Sequence, residues 1–433
     1  MTSLSEIAFS MLDLVPVRDQ GTVREALDNA VEIARHVERL GFSRYWMAEH
    51  HNMDGIASSA TSVLIGHIAS KTARIRVGSG GVMLPNHPPL VIAEQFGTLA
   101  TLYPGRIDLG LGRAPGADQA TMRALRRDRL GDGDDFPEQV AELEMLLGPR
   151  RVQQTLLAVP GEGTRVPIWL LGSSLFSARL AAEKGLPYAF ASHFAPRYLH
   201  DALRVYRQNF KPSAILDEPY AMIGVPLIAA ATDEEADFLA TTAFQRVLAL
   251  LRGQSLKQKP PVSSMAGLWL PHEQDAVGNF FGLAVIGGPE KVRSRLEVLV
   301  AQTGANELIF TSDIYDHAAR ALAGDRCRVE VNAVACPLHA KGVYRAAIYA
   351  KWVAGSRART GRPLAPASRD VLVGASLLAK PMRNVADRVR LCLQSWVGSK
   401  VRAGEASCRS AVLRARVGAQ AASPPSSDQS PNS

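Results

Sequence analysis

Five short stretches of this 433-residue chain gather residues that do chemistry, and each closes an apolar run. They are Glu49-His50-His51-Asn52, Gly78-Ser79-Gly80-Gly81, Gly110-Leu111-Gly112-Arg113, Gly172-Ser173-Ser174 and Ser192-His193-Phe194. Imidazole titrates near neutrality, so the histidine pair suits general acid–base work. Adjacent strand residues point to opposite faces, so at most one of His50 and His51 faces a common cavity. The blander reading is a loop histidine satisfied by backbone bonds. Gly80-Gly81 reads either as a tight bend at a strand end or as backbone that a flat ligand can approach, glycine having no Cβ. Arg113 with Ser174 and Ser177 suggests an anion site. Guanidinium binds phosphate bidentately, and 174–177 opens a helix whose N–H groups attract anions. A lone loop arginine is otherwise simply solvated. The chain has no H-x-H or H-E-x-x-H motif and no cysteine before residue 327, so no metal is expected.

Patterning says what must position these residues. Strands are expected at 7–14, 44–48, 75–82, 107–111, 167–171, 188–192, 221–230 and 307–311. Helices are expected at 22–40, 58–71, 90–102, 137–147, 175–184, 198–209, 233–251 and 289–303. Ser58 or Ser59 and Thr232 are the expected N-caps of their helices. A polar stretch at 113–135 and an aperiodic one at 252–284 fall outside the alternation; the second reads as a mobile loop or lid. Eight strands with helices between them fit a (β/α)8 TIM barrel with insertions better than an open doubly wound sheet. The G-x-G-x-x-G fingerprint after the first strand is absent, which argues against a Rossmann domain. In such a barrel, functional residues collect at the C-terminal ends of the strands, where all five stretches lie.

Apolar residues make up 47% of the chain and charged residues 21%, so collagen-like, coiled-coil and wholly disordered classes are excluded. No apolar run reaches 18 residues, and the N-terminus lacks a basic region before its first apolar stretch, so no transmembrane helix or signal peptide is expected. The net charge of +8 is unevenly spread. Residues 327–433 carry 17 Lys+Arg, 5 Asp+Glu and all four cysteines, leaving residues 1–326 at −4. An acidic, cysteine-free body fits a reducing cytoplasm and gives no reason to expect nucleic-acid binding there. The expected division is a barrel domain at 1–325 and a basic, Ala/Arg-rich tail at 326–433 of disordered composition, with short helices possible at 372–380 and 385–397.

The body resembles the bacterial luciferase-like, flavin-dependent monooxygenase superfamily over about residues 5–320. The matching runs are Arg44-Tyr45-Trp46-Met47-Ala48-Glu49-His50-His51, Ile75 through Pro85, Gly105 through Arg113, Pro167 through Ser174 and Gly287-Gly288-Pro289-Glu290 through Leu308. The resemblance implies a barrel that takes reduced FMN as cosubstrate at the strand C-termini. Oxygen then adds at flavin C4a, and the resulting peroxide oxygenates a small organic substrate. It further implies a separate flavin reductase, a homodimer, His50 as the catalytic histidine with Glu49 orienting it, and a cis peptide at Gly80-Gly81 beneath the flavin ring. Ser79, Gly80, Gly81, Arg113, Ser173, Ser174 and Ser177 are implied as cofactor-binding. At Ser173 the luciferase pattern has a carboxylate, so the sequence departs there. Two alternatives stand beside this one: a deazaflavin- or flavin-dependent dehydrogenase on the same fold, and a non-catalytic flavin-binding protein. Nucleic-acid binding by the tail is disfavoured, because it lacks interleaved aromatics. The tail itself reads as sequence foreign to the family.

Overall fold

The computed structural model describes residues 4–113, 119–125 and 135–333. Among them run nine strands: β1 (Ala8–Asp13), β2 (Arg44–Met47), β3 (Arg76–Met83), β4 (Ile107–Gly112), β5 (Ile168–Gly172), β6 (Tyr188–Phe190), β7 (Ala221–Ala229), β8 (Val285–Gly287) and β9 (Glu307–Thr311). The order β6-β5-β4-β3-β2-β1-β9-β7 closes on itself through β6 and β7, and the pairings are parallel. The eight strands expected from patterning therefore form a closed (β/α)8 barrel. β8 stands outside it, paired with the last residues of β7.

The helices are α1 (Val23–Arg39), α2 (Thr61–Lys71), α3 (Pro89–Leu102), α4 (Gln119–Leu125), α5 (Phe136–Leu147), α6 (Leu175–Lys184), α7 (Leu199–Gln208), α8 (Asp233–Leu251), α9 (Pro271–Phe280), α10 (Pro289–Thr303) and α11 (His317–Ala333). Local chemistry explains their ends. Thr22 caps α1 by accepting from the Glu25 amide at 3.1 Å, and Thr232 caps α8 by accepting from the Glu235 amide at 3.2 Å. Gly185 and Gly304 end α6 and α10 with φ of 63° and 57°, a left-handed turn that suits glycine. α1 buries Ala26, Ala30, Ile33, Ala34 and Val37, the helical stripe read in the sequence.

Two layers of core result. The larger lies between strands and helices and includes Phe9, Met11, Phe96 and Phe310. The smaller fills the barrel interior with Leu12, Trp46, Trp169, Met222 and Ile309. Trp46 meets Trp169 edge-on with centroids 5.2 Å apart, and Trp169 meets Tyr220 at 5.6 Å. Below them a charged layer closes the N-terminal end of the barrel. Arg44 bonds Asp108 at 2.8 Å and Glu307 at 3.1 Å while lying over the Trp169 ring. Arg76 Nε also donates to Asp108, at 3.0 Å. Ser10 and Tyr220 donate to Glu307. These buried charges are compensated on several sides, as burial requires.

Three expectations need correction. α2 starts at Thr61 with Ala60 as its N-cap, not at Ser58 or Ser59. The two serine hydroxyls instead donate to the carbonyls of Ala48 and His50, at 2.5 and 2.7 Å, tying the loop after β2 to the helix start. The stretch 252–284 is not one aperiodic loop: it contains α9. Its first part is stitched down by Gln258, whose amide donates to Val17 at 2.9 Å, and by Lys259, whose carbonyl accepts from Thr242 at 3.0 Å. Finally, α11 continues through Ala333, so the boundary expected after residue 325 falls inside a helix. The helices expected at 372–380 and 385–397 lie outside the described residues. No helix among the described residues is long and apolar enough to cross a membrane.

Candidate active site

The C-terminal ends of the barrel strands open onto a cavity of about 620 Å³. The topology explains the gathering: parallel strands all deliver their final residues to the same rim. β2 brings His50, β3 brings Gly80 and Gly81, β4 brings Arg113, β5 brings Ser173, Ser174 and Ser177, and β6 brings His193.

One part of the lining gathers groups that can hold an anion. Arg113 lies over the Phe176 ring, 4.3 Å from its centroid, which fixes the guanidinium beside the start of α6. Ser174 is the N-cap of α6 but makes no side-chain capping bond, so the first-turn N–H groups of this ten-residue helix remain for a ligand. Gly172 is required here, because a Cβ at that position would stand 2.5 Å from the Ser177 hydroxyl. The Gly80–Gly81 peptide is cis. A Cβ on Gly81 would strike the Gly110 carbonyl at 2.7 Å, and one on Gly80 the Leu12 side chain, also at 2.7 Å.

The histidine pair divides although it lies past the end of β2, in the loop that follows it. His50 lines the cavity, and His51 turns away to Glu49. Glu49 is buried beneath the loops and does not line the cavity. Its Oε1 accepts from His51 Nε2 and His87 Nε2, each at 2.8 Å, and its Oε2 from the Met83 amide at 3.1 Å. Burial would raise this carboxyl, but the bonds from His87 and His51 outweigh it and hold the group below the usual glutamate range. Glu49, His51 and His87 put three ligand atoms within 4.8 Å of one another; the imidazoles spend theirs on the carboxylate.

Ser79 departs from expectation. It is fully buried and does not line the cavity. Its hydroxyl donates to the Gly110 carbonyl at 2.8 Å and accepts from the Gly110 amide at 2.9 Å, bridging β3 and β4. Ser79 pairs with Met47 and Leu109, both in the core between strands and helices, so strand alternation turns it away from the barrel interior.

The far end of the cavity holds groups that sequence reasoning missed. Arg320 of α11 bonds Asp13 at 2.8 Å. Arg246 of α8 lies 3.2 Å from both oxygens of Asp313. His87, Arg246 and Arg320 belong to no short motif. His193 follows β6 and lines the cavity, and its Nδ1 is buried without a hydrogen-bond partner. Burial, and then the neighbouring His50, lower its pKa to about 4, so the ring is neutral at physiological pH.

A closed parallel barrel whose C-terminal rim gathers glycines, an arginine, serines and a histidine around one cavity has the layout of a barrel enzyme's site. Residues 7–307 match the luciferase-like monooxygenase family, and the chain belongs to it. A luciferase-like monooxygenase from Escherichia coli K12 is 54% identical over 314 residues, covering 72% of this chain and 94% of that protein. The structure of apo-MsnO8 is 32% identical, with a TM-score of 0.67, over 75% of this chain and 98% of that one. The FMN complex of the oxygenating constituent of 3,6-diketocamphane monooxygenase from Pseudomonas putida, 17% identical with a TM-score of 0.59, shares the fold over 75% of this chain and 98% of that one.

Proposed function

We propose that this chain is an FMN-dependent monooxygenase. It uses reduced FMN and O2 to place one oxygen atom on a small organic substrate, the other leaving as water. The observation that carries this reading is the anion cradle of Arg113, Ser174, Ser177 and the α6 N-terminus, set at one end of a cavity floored by Gly80–Gly81 and flanked by His50. A phosphate on a flat ring system matches that donor set, because the cradle is cationic and dipolar while the floor carries no side chain.

Bound reduced FMN would supply the two electrons that activate O2. Arg113 and the serines would hold its phosphate, with Ser173 beside them. Gly80 and Gly81 would lie against its ring. His50 would carry the proton exchanged at the reacting atoms. Glu49 acts at one remove: by tying His51 to His87 it fixes the two loops that frame His50. Phe280, Phe281 and Val247 line the cavity and would help keep water from the bound flavin. A separate reductase would deliver the reduced flavin, the barrel would act as a homodimer in the cytoplasm, and the barrel domain, taken through α11, would work without the rest of the tail.

Titration of the protein with FMN and, in parallel, with a deazaflavin, followed by oxygen uptake with a flavin reductase present, tests the reading. Tight FMN binding and oxygen uptake above the free-flavin background are expected. Preferential deazaflavin binding with no added oxygen uptake would overturn it in favour of a dehydrogenase.

A further inference from the structure

The lining of the cavity outside the cradle has its own chemistry. Its walls are apolar, with Leu14, Met53, Ile56, Val247, Leu250 and Phe281 among them. Two guanidiniums reach it, and each already carries a carboxylate: Arg246 is paired with Asp313, and Arg320 with Asp13. Neither offers a ligand an unbalanced positive charge.

His193 is different. Its Nδ1 is buried without a partner and packs against Gly224, where a Cβ would stand only 2.3 Å from that nitrogen. The loop cannot easily turn the ring away, since the preceding Ser192 hydroxyl is bonded to the Gly224 carbonyl at 2.7 Å. An N–H at Nδ1 would point at backbone with no acceptor, and buried orphan N–H groups are rarer than under-used acceptors. The proton therefore belongs on Nε2, the nitrogen the ring can present to the cavity. A second proton would recreate the orphan at Nδ1, so geometry as well as the depressed pKa keeps the ring neutral. His193 is then neither base nor charged acid but a fixed hydrogen-bond donor.

We propose that His193 donates Nε2–H to an acceptor oxygen of the substrate, and that the substrate is an uncharged, mostly apolar molecule carrying such an acceptor. The word substrate rests on the monooxygenase reading; the binding does not. With a phosphate held in the Arg113 cradle, an ionised carboxylate would be desolvated among apolar walls with no unpaired cation left to meet it. A ligand without an acceptor would leave the buried donor unsatisfied, the situation in which polar sites discriminate most strongly.

Equilibrium binding of 2-octanone and of octanoate, to FMN-loaded and FMN-free protein, tests this; Trp46 lines the cavity and reports by fluorescence. The ketone is expected to bind at least about tenfold more tightly than the acid at neutral pH. His193→Leu should weaken the ketone about tenfold, the scale of one hydrogen bond to a buried donor. His193→Gln, whose amide N–H reaches the same region, should restore it. Both variants should bind oxidised FMN as the parent does. Gly224→Ala should mimic His193→Leu, since the new methyl group displaces the ring. Equal or tighter octanoate binding to the FMN-loaded protein, no octanone binding at millimolar concentration, or an unchanged ketone affinity in His193→Leu would each overturn the proposal. Octanone binding without FMN binding would support it and count against the flavin reading alone.

Discussion

Arg320 Nη2 lies 2.8 Å from Asp13 Oδ1, joining α11 to the end of β1 across 307 residues of sequence. Both side chains are buried. Tyr45 donates to the other carboxylate oxygen, the Val15 amide adds a bond at 2.8 Å, and Arg320 Nε reaches the Ser312 carbonyl at 2.9 Å. Burial pushes the Asp13 carboxyl up, but Arg320 and the hydrogen bonds outweigh it and hold the group ionised. Removing one partner strands the other charge, so Arg320→Met should cost about 3–5 kcal/mol. Asp13→Asn combined with Arg320→Met should cost less than the two single changes together. Urea unfolding of the four proteins measures the coupling; additive losses would mean the pair is not a unit.

The same contact sets the limits of truncation. A chain ending at Ala333 keeps α11 and Arg320, and should unfold cooperatively and bind FMN with the affinity of the full chain. A chain ending at Asp316 loses Arg320 and should be insoluble or strongly destabilised. Thermal unfolding followed by near-ultraviolet circular dichroism separates the two, and equal melting temperatures would contradict the prediction.

His50 faces the cavity, whereas Glu49 and His51 serve the loops. His50→Ala should lower oxygenation about 10²–10⁴-fold, the usual contribution of a positioned acid or base. Its FMN dissociation constant should stay within about twofold, because a proton carrier adds little to ground-state binding. Stopped-flow turnover set beside an FMN titration makes the comparison, and turnover at the parental rate would refute the role.

Arg113 and the α6 N-terminus address the phosphate and not the ring. Arg113→Ala should weaken FMN by about 1.5–3 kcal/mol, the worth of a charge-assisted hydrogen bond. Riboflavin, which lacks the phosphate, should bind both proteins alike. Gly172→Ala should act in the same direction by pushing Ser177 out of the cradle. Fluorescence titration with each flavin gives the ratios, and equal losses for FMN and riboflavin would move the cradle elsewhere.

His193 carries a stability signature. Its folded pKa is about 4, against about 6.5 for an unfolded histidine. The unfolded chain therefore binds its proton first on acidification. The stability His193 allows is intact above about pH 6.5 and falls progressively as pH drops towards 4. His193→Gln removes this titration, so its urea midpoint should fall less steeply than the parent's over that interval. Parallel curves would show that the ring titrates normally.

Legibility varied with the range of the interaction. α6, α10 and β9 have the bounds expected from patterning, because their signals are local: glycine stops at 185 and 304, a proline start at 289, and a short apolar run at 307–311. α9 was missed because Val277 is its only buried residue, leaving no stripe to count. β8 was missed because three residues cannot display a period. At the site, His50, Arg113, Ser173, Ser174 and Ser177 could be read because a parallel barrel sends every strand end to one rim. Ser79 does not reach that rim, because its pairing with Met47 and Leu109 sets it on the side of the sheet that faces the helices, and that register is a long-range fact. The Glu49–His87 and Asp13–Arg320 contacts were invisible for a plainer reason: no local rule joins residues 38 or 307 positions apart.

The charged layer of Arg44, Asp108, Glu307 and Arg76 makes the barrel a well rather than a tunnel. Whatever binds must come and go by the same door. If two molecules are to be inside together, the one seated deeper has to arrive first and depart last. A sealed floor thus turns static architecture into an order of events, and an obligatory sequence of loading and release is its kinetic signature.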